Sequence, residues 1–219
     1  MLWTLWFGLI AALLSRTVTA QANAIYRDPD TGLVFSSNYV LYRVNQGITY
    51  RVAIPANVQT YTSYDAVIQA VIPNDVGWAG IAWAGSMPRN PLTVAWRNSQ
   101  NQPVLSSRWA GGHITPQAYN NAQYTLFRTG TKSNGTHWQY TALCKGCTSW
   151  TTDTGASRFL SPRGGNRMAF AYSPNRPSSP NSPTSTIPIH DVHGYWQHDF
   201  SGAANQDFDA IVERLASGV

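Results

Sequence analysis

The chain has 219 residues, of which 43% are hydrophobic, 12% aromatic and 11% charged, with a formal charge of +5. That length suits one globular domain with short extensions, and nine Trp, eleven Tyr and seven Phe carry too much apolar area for a chain that stays unfolded. Abundant Gly, Pro, Thr, Ser and Asn exclude a coiled coil, and with Lys only at Lys132 and Lys145 and the Arg residues scattered, no basic stripe for nucleic-acid phosphates is present.

Met1 to Leu14 form an almost wholly apolar run, followed by small residues around Arg16. Residues 1–20 read as a signal peptide, with Val18 and Ala20 at the −3 and −1 positions of a cleavage site and Gln21 as the new N-terminus. No Lys or Arg precedes the run, so the α-amino group of Met1 is the positive charge there. The run is shorter than the ~20 residues needed to cross a bilayer, so export is expected rather than anchoring. Loss of Arg16 leaves fourteen basic and ten acidic side chains, a net +4 for a domain spanning 21–219.

Along that domain, short segments alternate with period two between Gly, Pro and Asn turns, the pattern of an all-β, antiparallel sandwich. Tyr50, Val52 and Ile54 form the first set, followed by Leu92, Val94 and Trp96, by Trp138, Tyr140 and Ala142, and by Met168, Phe170 and Tyr172. Each set is expected to face the core. Between the first two lies Gly77-Trp78-Ala79-Gly80-Ile81-Ala82, followed by the turn Trp83-Ala84-Gly85-Ser86-Met87-Pro88. Met87 shares the parity of Ile81 and Trp83. The small residues around it would let a planar group approach the backbone closely, or Met87 fills a core gap.

Asn134-Gly135-Thr136 is a glycosylation sequon, consistent with an exported protein. Cys144 and Cys147, the two cysteines of the chain, are expected to form a local disulfide. Thr148 stands where covalent haem attachment wants a His, the surroundings do not suggest the strand-to-helix setting of a redox motif, and His137 has no partner at zinc-ligand spacing. Pro174, Pro177, Pro180, Pro183 and Pro188 mark a surface loop, which donates few ladder hydrogen bonds. Immediately after it, His190, His193 and His198 cluster. They suit a metal site, a haem-ligating loop or solvent-facing strand positions, and spacing does not choose. Phe208, Ile211, Val212 and Leu215 form a helical stripe near the C-terminus, with Asn205 expected to cap its start and Gly218 its end.

No nucleophile elbow, phosphate-cradling Gly loop or His-Glu-x-x-His pair is present, and nothing marks a pair of carboxylates for hydrolysis.

Several of these segments together resemble the cytochrome domain of fungal cellobiose dehydrogenases, an iron reductase domain related to DOMON modules. The resemblance spans essentially the whole mature chain. It is carried by Gly77-Trp78 through Met87, Asn90-Pro91-Leu92-Thr93-Val94-Ala95-Trp96, Cys144-Lys145-Gly146-Cys147-Thr148-Ser149-Trp150, Met168 through Ser173, and His190 with Gly194. It implies an immunoglobulin-like β-sandwich holding a non-covalent haem b between a Met and a His, here Met87 and His190. Trp78, Trp83, Phe170 and Tyr172 are candidates for packing on the macrocycle, or for plain sandwich core. Where the family commonly has Gly-Tyr before an x-Pro step, this chain has Gly112-His113-Ile114-Thr115-Pro116, which makes His113 a candidate for propionate contact.

The resemblance implies a secreted, monomeric, stand-alone electron carrier without its own substrate-oxidising domain. Its donor would be a flavin dehydrogenase, and its acceptor a copper-dependent lytic polysaccharide monooxygenase or ferric iron. The rival is a haem-free module binding carbohydrate on its aromatic side chains. A third reading puts copper or zinc in the His loop.

Overall fold

The computed structural model describes residues 23–218, so the proposed signal peptide lies outside the described residues. In chain order the strands are β1 (Ala24–Arg27), β2 (Val34–Arg43), β3 (Gln46–Pro55), β4 (Ala66–Pro73), β5 (Trp78–Ala82), β6 (Leu92–Arg97), β7 (Pro103–Trp109) and β8 (Gln117–Ala118). There follow β9 (Gln123–Leu126), β10 (Lys132–Ser133), β11 (His137–Lys145), β12 (Ser149–Thr151), β13 (Ser157–Phe159), β14 (Gly165–Ser173), β15 (Val192–Asp199) and the short β16 (Ala204–Asn205). A single helix among the described residues, α1 (Phe208–Ser217), closes the chain.

Two sheets form the sandwich. The first runs β1-β2-β3-β4-β11-β10, with β9 also on β11 and β16 lying parallel to β3. The second runs β15-β14-β5-β6-β7-β8, antiparallel throughout. Between them packs one apolar cluster to which Tyr50, Val52 and Ile54 of β3, Trp138, Tyr140 and Ala142 of β11, and Met168, Phe170 and Tyr172 of β14 all contribute. Three of the four alternating sets therefore face the inter-sheet core, as the period-two pattern requires.

The fourth set does not. Leu92, Val94 and Trp96 are buried on the opposite face of the second sheet, with Trp78, Ala82, Ala169 and Ile187. That face is covered by the Pro-rich loop, which Trp96 pins by donating from Nε1 to the Pro180 carbonyl (2.7 Å), and Ser106 by donating from Oγ to the Pro183 carbonyl (2.5 Å).

The outer face of the first sheet is covered by α1. Phe208 and Leu215 are buried against Phe35, Ala53, Val67 and Leu143, with Ile211 and Val212 packed alongside, which is the stripe expected from the sequence. Gly218 ends the helix in the left-handed region at φ 75°, but Asn205 does not cap it. Asp207 holds the N-cap position, while the Asn205 side chain accepts from the Val34 N–H (2.8 Å) and donates to the Val34 and Ala203 carbonyls. Asn205 is spent on tying β16 into the sheet.

The sheets are joined along one edge by polar contacts. Ser36 Oγ of β2 donates to the Asp199 carbonyl (2.5 Å), and His198 Nε2 of β15 meets the Ser36 carbonyl (3.1 Å). Trp196 Nε1 donates to His198 Nδ1 (3.2 Å), so the neutral ring donates at Nε2 and accepts at Nδ1. Elsewhere, Tyr124 of β9 shares a 2.5 Å hydrogen bond with Thr93 of β6 and touches Cys147 Sγ. Cys144 and Cys147 form the expected disulfide, with Cα atoms 5.9 Å apart.

Burial lowers the His198 pKa from 6.5 to about 4. The folded state thus resists a proton that the unfolded chain takes up, and stability present above pH 6.5 is lost as pH falls toward about 4, by about 3 kcal/mol in total. Denaturant titrations across that range should show this slope in the wild type and a flatter one in His198→Gln; equal slopes would remove His198 as the cause.

Candidate haem site

A cavity of about 570 Å³ opens on the outer face of the second sheet, within the size range of small-molecule and cofactor sites. Its floor is built from neighbouring strands: Gly80 and Ala82 of β5, Leu92 and Val94 of β6, Ala169 and Ala171 of β14. Register places Gly80 between Val94 and Ala171, and Ala82 between Leu92 and Ala169. Four of these six side chains are a hydrogen or a methyl, so the floor is flat and lies close to the backbone. A Cβ on Gly80 would come within 2.9 Å of the Thr93 carbonyl oxygen and 3.3 Å of Val94 Cγ2.

Met87 lines the cavity from the β5–β6 connection. The turn that delivers it depends on Gly85, whose φ of 69° is left-handed and whose missing side chain leaves room for Arg167, 2.5 Å from where a Cβ would sit. Asn90, nearly buried, then donates from Nδ2 to the Ser86 carbonyl (2.8 Å) and the Pro88 carbonyl (3.1 Å), gripping the chain on both sides of Met87. The Arg89 N–H donates to the Ala110 carbonyl (2.7 Å), tying this turn to the segment that leads to His113.

His190 lines the same cavity from the end of the Pro-rich loop. The next residue fixes its approach: the Asp191 N–H donates to the Tyr172 carbonyl (2.8 Å), and Ser173 Oγ donates to Asp191 Oδ1 (2.9 Å). Val192 pairs with Tyr172, which pairs with Ala79, so His190 enters beyond one end of β5 while Met87 leaves from the Ala82 end. Met87 and His190 thus come from opposite ends of the floor strand. Burial, with His193 next in effect, lowers the His190 pKa, which favours the neutral imidazole that a metal requires.

His113, Trp78 and Phe170 also line the cavity. Trp83 and Tyr172 do not: both point into the inter-sheet core, Trp83 donating from Nε1 to Thr93 Oγ1 (2.8 Å), and Tyr172 packing its ring 4.3 Å from that of Tyr42. The His193 ring lies 5.0 Å from that of His190, and His193 lines the cavity too. Despite three histidines on one cavity, no group of three or more His, Cys, Asp or Glu among the described residues is placed to hold a bare metal ion. That weighs against a copper or zinc site in the His loop.

Asn134 is exposed, its Oδ1 accepting from the N–H groups of Thr136 and His137. A second depression, about 550 Å³, is bordered by polar residues including Asn57, Gln59, Asp65 and Asp209 and contains neither Met nor His. The sequence reading singled out the small residues near Met87 but missed Ala169 and Ala171 of the floor, the hydrogen bonds of Asn90, and Ile114, Ile189 and Tyr195 at the rim. The signal for the floor was present in the small residues Gly80 and Ala82 at every second position of β5.

The cavity fits a flat, largely apolar macrocycle with an iron at its centre. Its floor is mostly small and apolar, and its walls offer one thioether, Met87, and the imidazoles of His113, His190 and His193.

Comparison with known proteins agrees with this architecture. Residues 26–210 match the family model for the cytochrome domain of cellobiose dehydrogenase. The fold is similar to the cytochrome domain of Myriococcum thermophilum cellobiose dehydrogenase, with a TM-score of 0.79 and 24% identity over 89% of this chain and 96% of that one. It is also similar to the cytochrome b domain of pyranose dehydrogenase from Coprinopsis cinerea, with a TM-score of 0.74 at the same identity and coverage. The chain belongs to the family of cellobiose dehydrogenase cytochrome domains, which are haem-based electron-transfer modules.

A larger side chain on the floor should close the slot without disturbing the fold. Ala171→Phe is expected to keep stability within about 1 kcal/mol, because the ring projects into open space rather than packed core, and to weaken haemin binding at least about tenfold. Titration of the Soret band together with urea unfolding reads both quantities; undiminished binding would show that the floor is not where the porphyrin lies.

Proposed function

We propose that this chain is a secreted haem b protein that carries single electrons, with Met87 and His190 as the two axial ligands of the iron. The observation that carries the reading is that these two side chains, far apart in sequence, line one cavity whose floor is mostly Gly and Ala. When bound, the haem supplies a reversible one-electron iron couple. Everything else is the work of the chain. The Met87 thioether favours the ferrous state and raises the potential, and the pair together leaves no open position for oxygen chemistry. Trp78 and Phe170 bound the site, and the exposed position of His113 at its border supports it as a contact for a propionate.

The rim supports exchange with a partner. Ile114 (63% exposed), Ile189 (87%) and Tyr195 (55%) are apolar side chains held at the surface beside the cavity. Such a rim suits brief docking near an exposed edge of the macrocycle. The family resemblance supports a flavin dehydrogenase as the proposed donor, and a copper-dependent polysaccharide monooxygenase or ferric iron as the proposed acceptor. The described residues contain no helix long and apolar enough to cross a membrane, and the apolar start of the chain supports export. Asn134, exposed, is proposed as a glycan acceptor. A haem-free carbohydrate module is disfavoured by the family match and by a cavity that presents more methyl and methylene groups than hydrogen-bonding ones.

Purified protein should show a low-spin, six-coordinate haem spectrum. His190→Ala is expected to abolish it, and Met87→Ala to lower the midpoint potential by on the order of 0.1 V, since axial ligands span about 0.8 V across haem proteins. A colourless wild type retained on glycan columns would instead establish the binding-module reading. His113→Ala should shift the potential or speed haem loss, and no change in either would remove His113 from the propionate.

A further inference from the structure

Arg108 of β7 is 3% exposed, and no carboxylate pairs with it among the described residues. Its guanidinium is satisfied entirely by neutral oxygens. Nε donates to Ser106 Oγ (2.5 Å), Nη1 to the Pro116 carbonyl (3.1 Å), and Nη2 to the carbonyls of Pro183 (3.0 Å) and Ser185 (2.5 Å). A buried cation with no counter-ion is costly unless its donors are nearly all used, and here four hydrogen bonds use them.

The three chain segments it joins explain the arrangement. Pro116 ends the stretch His113-Ile114-Thr115-Pro116, which lines the cavity, and Pro183 and Ser185 precede Ile187-Pro188-Ile189-His190, which lines it from another side. Neither stretch is in a strand, and the second is too rich in proline to hold itself by a ladder. One planar fork of donors on the rigid sheet therefore fastens both. Lys could not replace it, because an ammonium offers three donors from a single point and cannot span carbonyls on two loops.

We propose that Arg108 is a positioning residue for the haem site: it holds the loop bearing His190, and the loop bearing His113, at the distance from the sheet at which the imidazole reaches the iron. This rests on the reading of His190 as a ligand. No titration is involved, since a guanidinium stays charged throughout the usual pH range. Loss of the fork should free His190 before it disturbs the sandwich, because the hydrogen bonds at stake fasten loops and not strands.

The test compares haem-loaded wild type, Arg108→Gln and Arg108→Lys, each with and without added imidazole. Arg108→Gln is expected to release haem to an apoprotein acceptor at least about tenfold faster, one decade being about 1.4 kcal/mol. It should also show a high-spin fraction that imidazole converts to low-spin while the ferric thioether band of Met87 persists. Arg108→Lys, which keeps the charge and loses the fork, should show the same change in smaller measure. A wild-type spin state and release rate in Arg108→Gln would overturn the proposal, and so would a high-spin fraction that imidazole does not convert. If Arg108→Gln fails to fold, Arg108→Lys decides in its place, and a wild-type spectrum there overturns it. The ligand assignment underneath fails by a different result: His190→Gly with Arg108 intact would keep its low-spin spectrum without imidazole.

Discussion

The structure depends on a sheet that is apolar on both faces. The β14-β5-β6 part of the second sheet buries Ile81, Met168 and Phe170 on one side and Leu92, Val94 and Trp96 on the other, and both sides need cover. The first sheet covers the inner face across its whole width. The outer face has an irregular loop that lies over Trp96, and beside it the Gly80, Ala82, Ala169 and Ala171 stretch forms the floor of the cavity. Antiparallel sheets commonly turn one polar face to water, so an apolar, small-residue strip at the bottom of a cavity calls for an occupant.

Irregular backbone over an apolar surface carries its own cost, because its N–H and C=O groups have no ladder. The chain meets this with side chains of three elements. Asn90 bonds carbonyls on either side of Met87, Ser173 and the Tyr172 carbonyl hold Asp191 beside His190, and Arg108 gathers carbonyls from two loops. The cavity walls are thus held by polar contacts, whereas its floor is held by the β-ladder. Ligand-bearing loops with rigid strand beneath them combine geometric accuracy with room for a cofactor to enter.

Much of this was legible beforehand, and the gaps share one physical origin. Period-two alternation identifies which side chains share a face but not which face it is, so Leu92, Val94 and Trp96 were expected inside and lie outside. The same ambiguity put Trp83 and Tyr172 among the candidates for the macrocycle, when both point into the inter-sheet core. The helix stripe from Phe208 to Leu215 was readable because its period depends on no partner, whereas Asn205, three residues earlier, satisfies strands far away in sequence. Arg108 acts through the carbonyl oxygens of other segments, which leave no mark in a sequence, and Asn90 through those of its own turn, which any residue type would supply.

The cavity draws its surface from stretches around residues 80, 92, 114, 170 and 190, which meet once β14, β5, β6 and β7 have paired and the proline loop lies over them. A cofactor held there would therefore enter after that sheet and its covering loop have assembled, rather than serve as a nucleus around which the polypeptide collapses. The converse holds for release. Lifting the proline loop alone would open one wall while every strand stayed paired, so an emptied but otherwise native particle is the first product expected from mild heating.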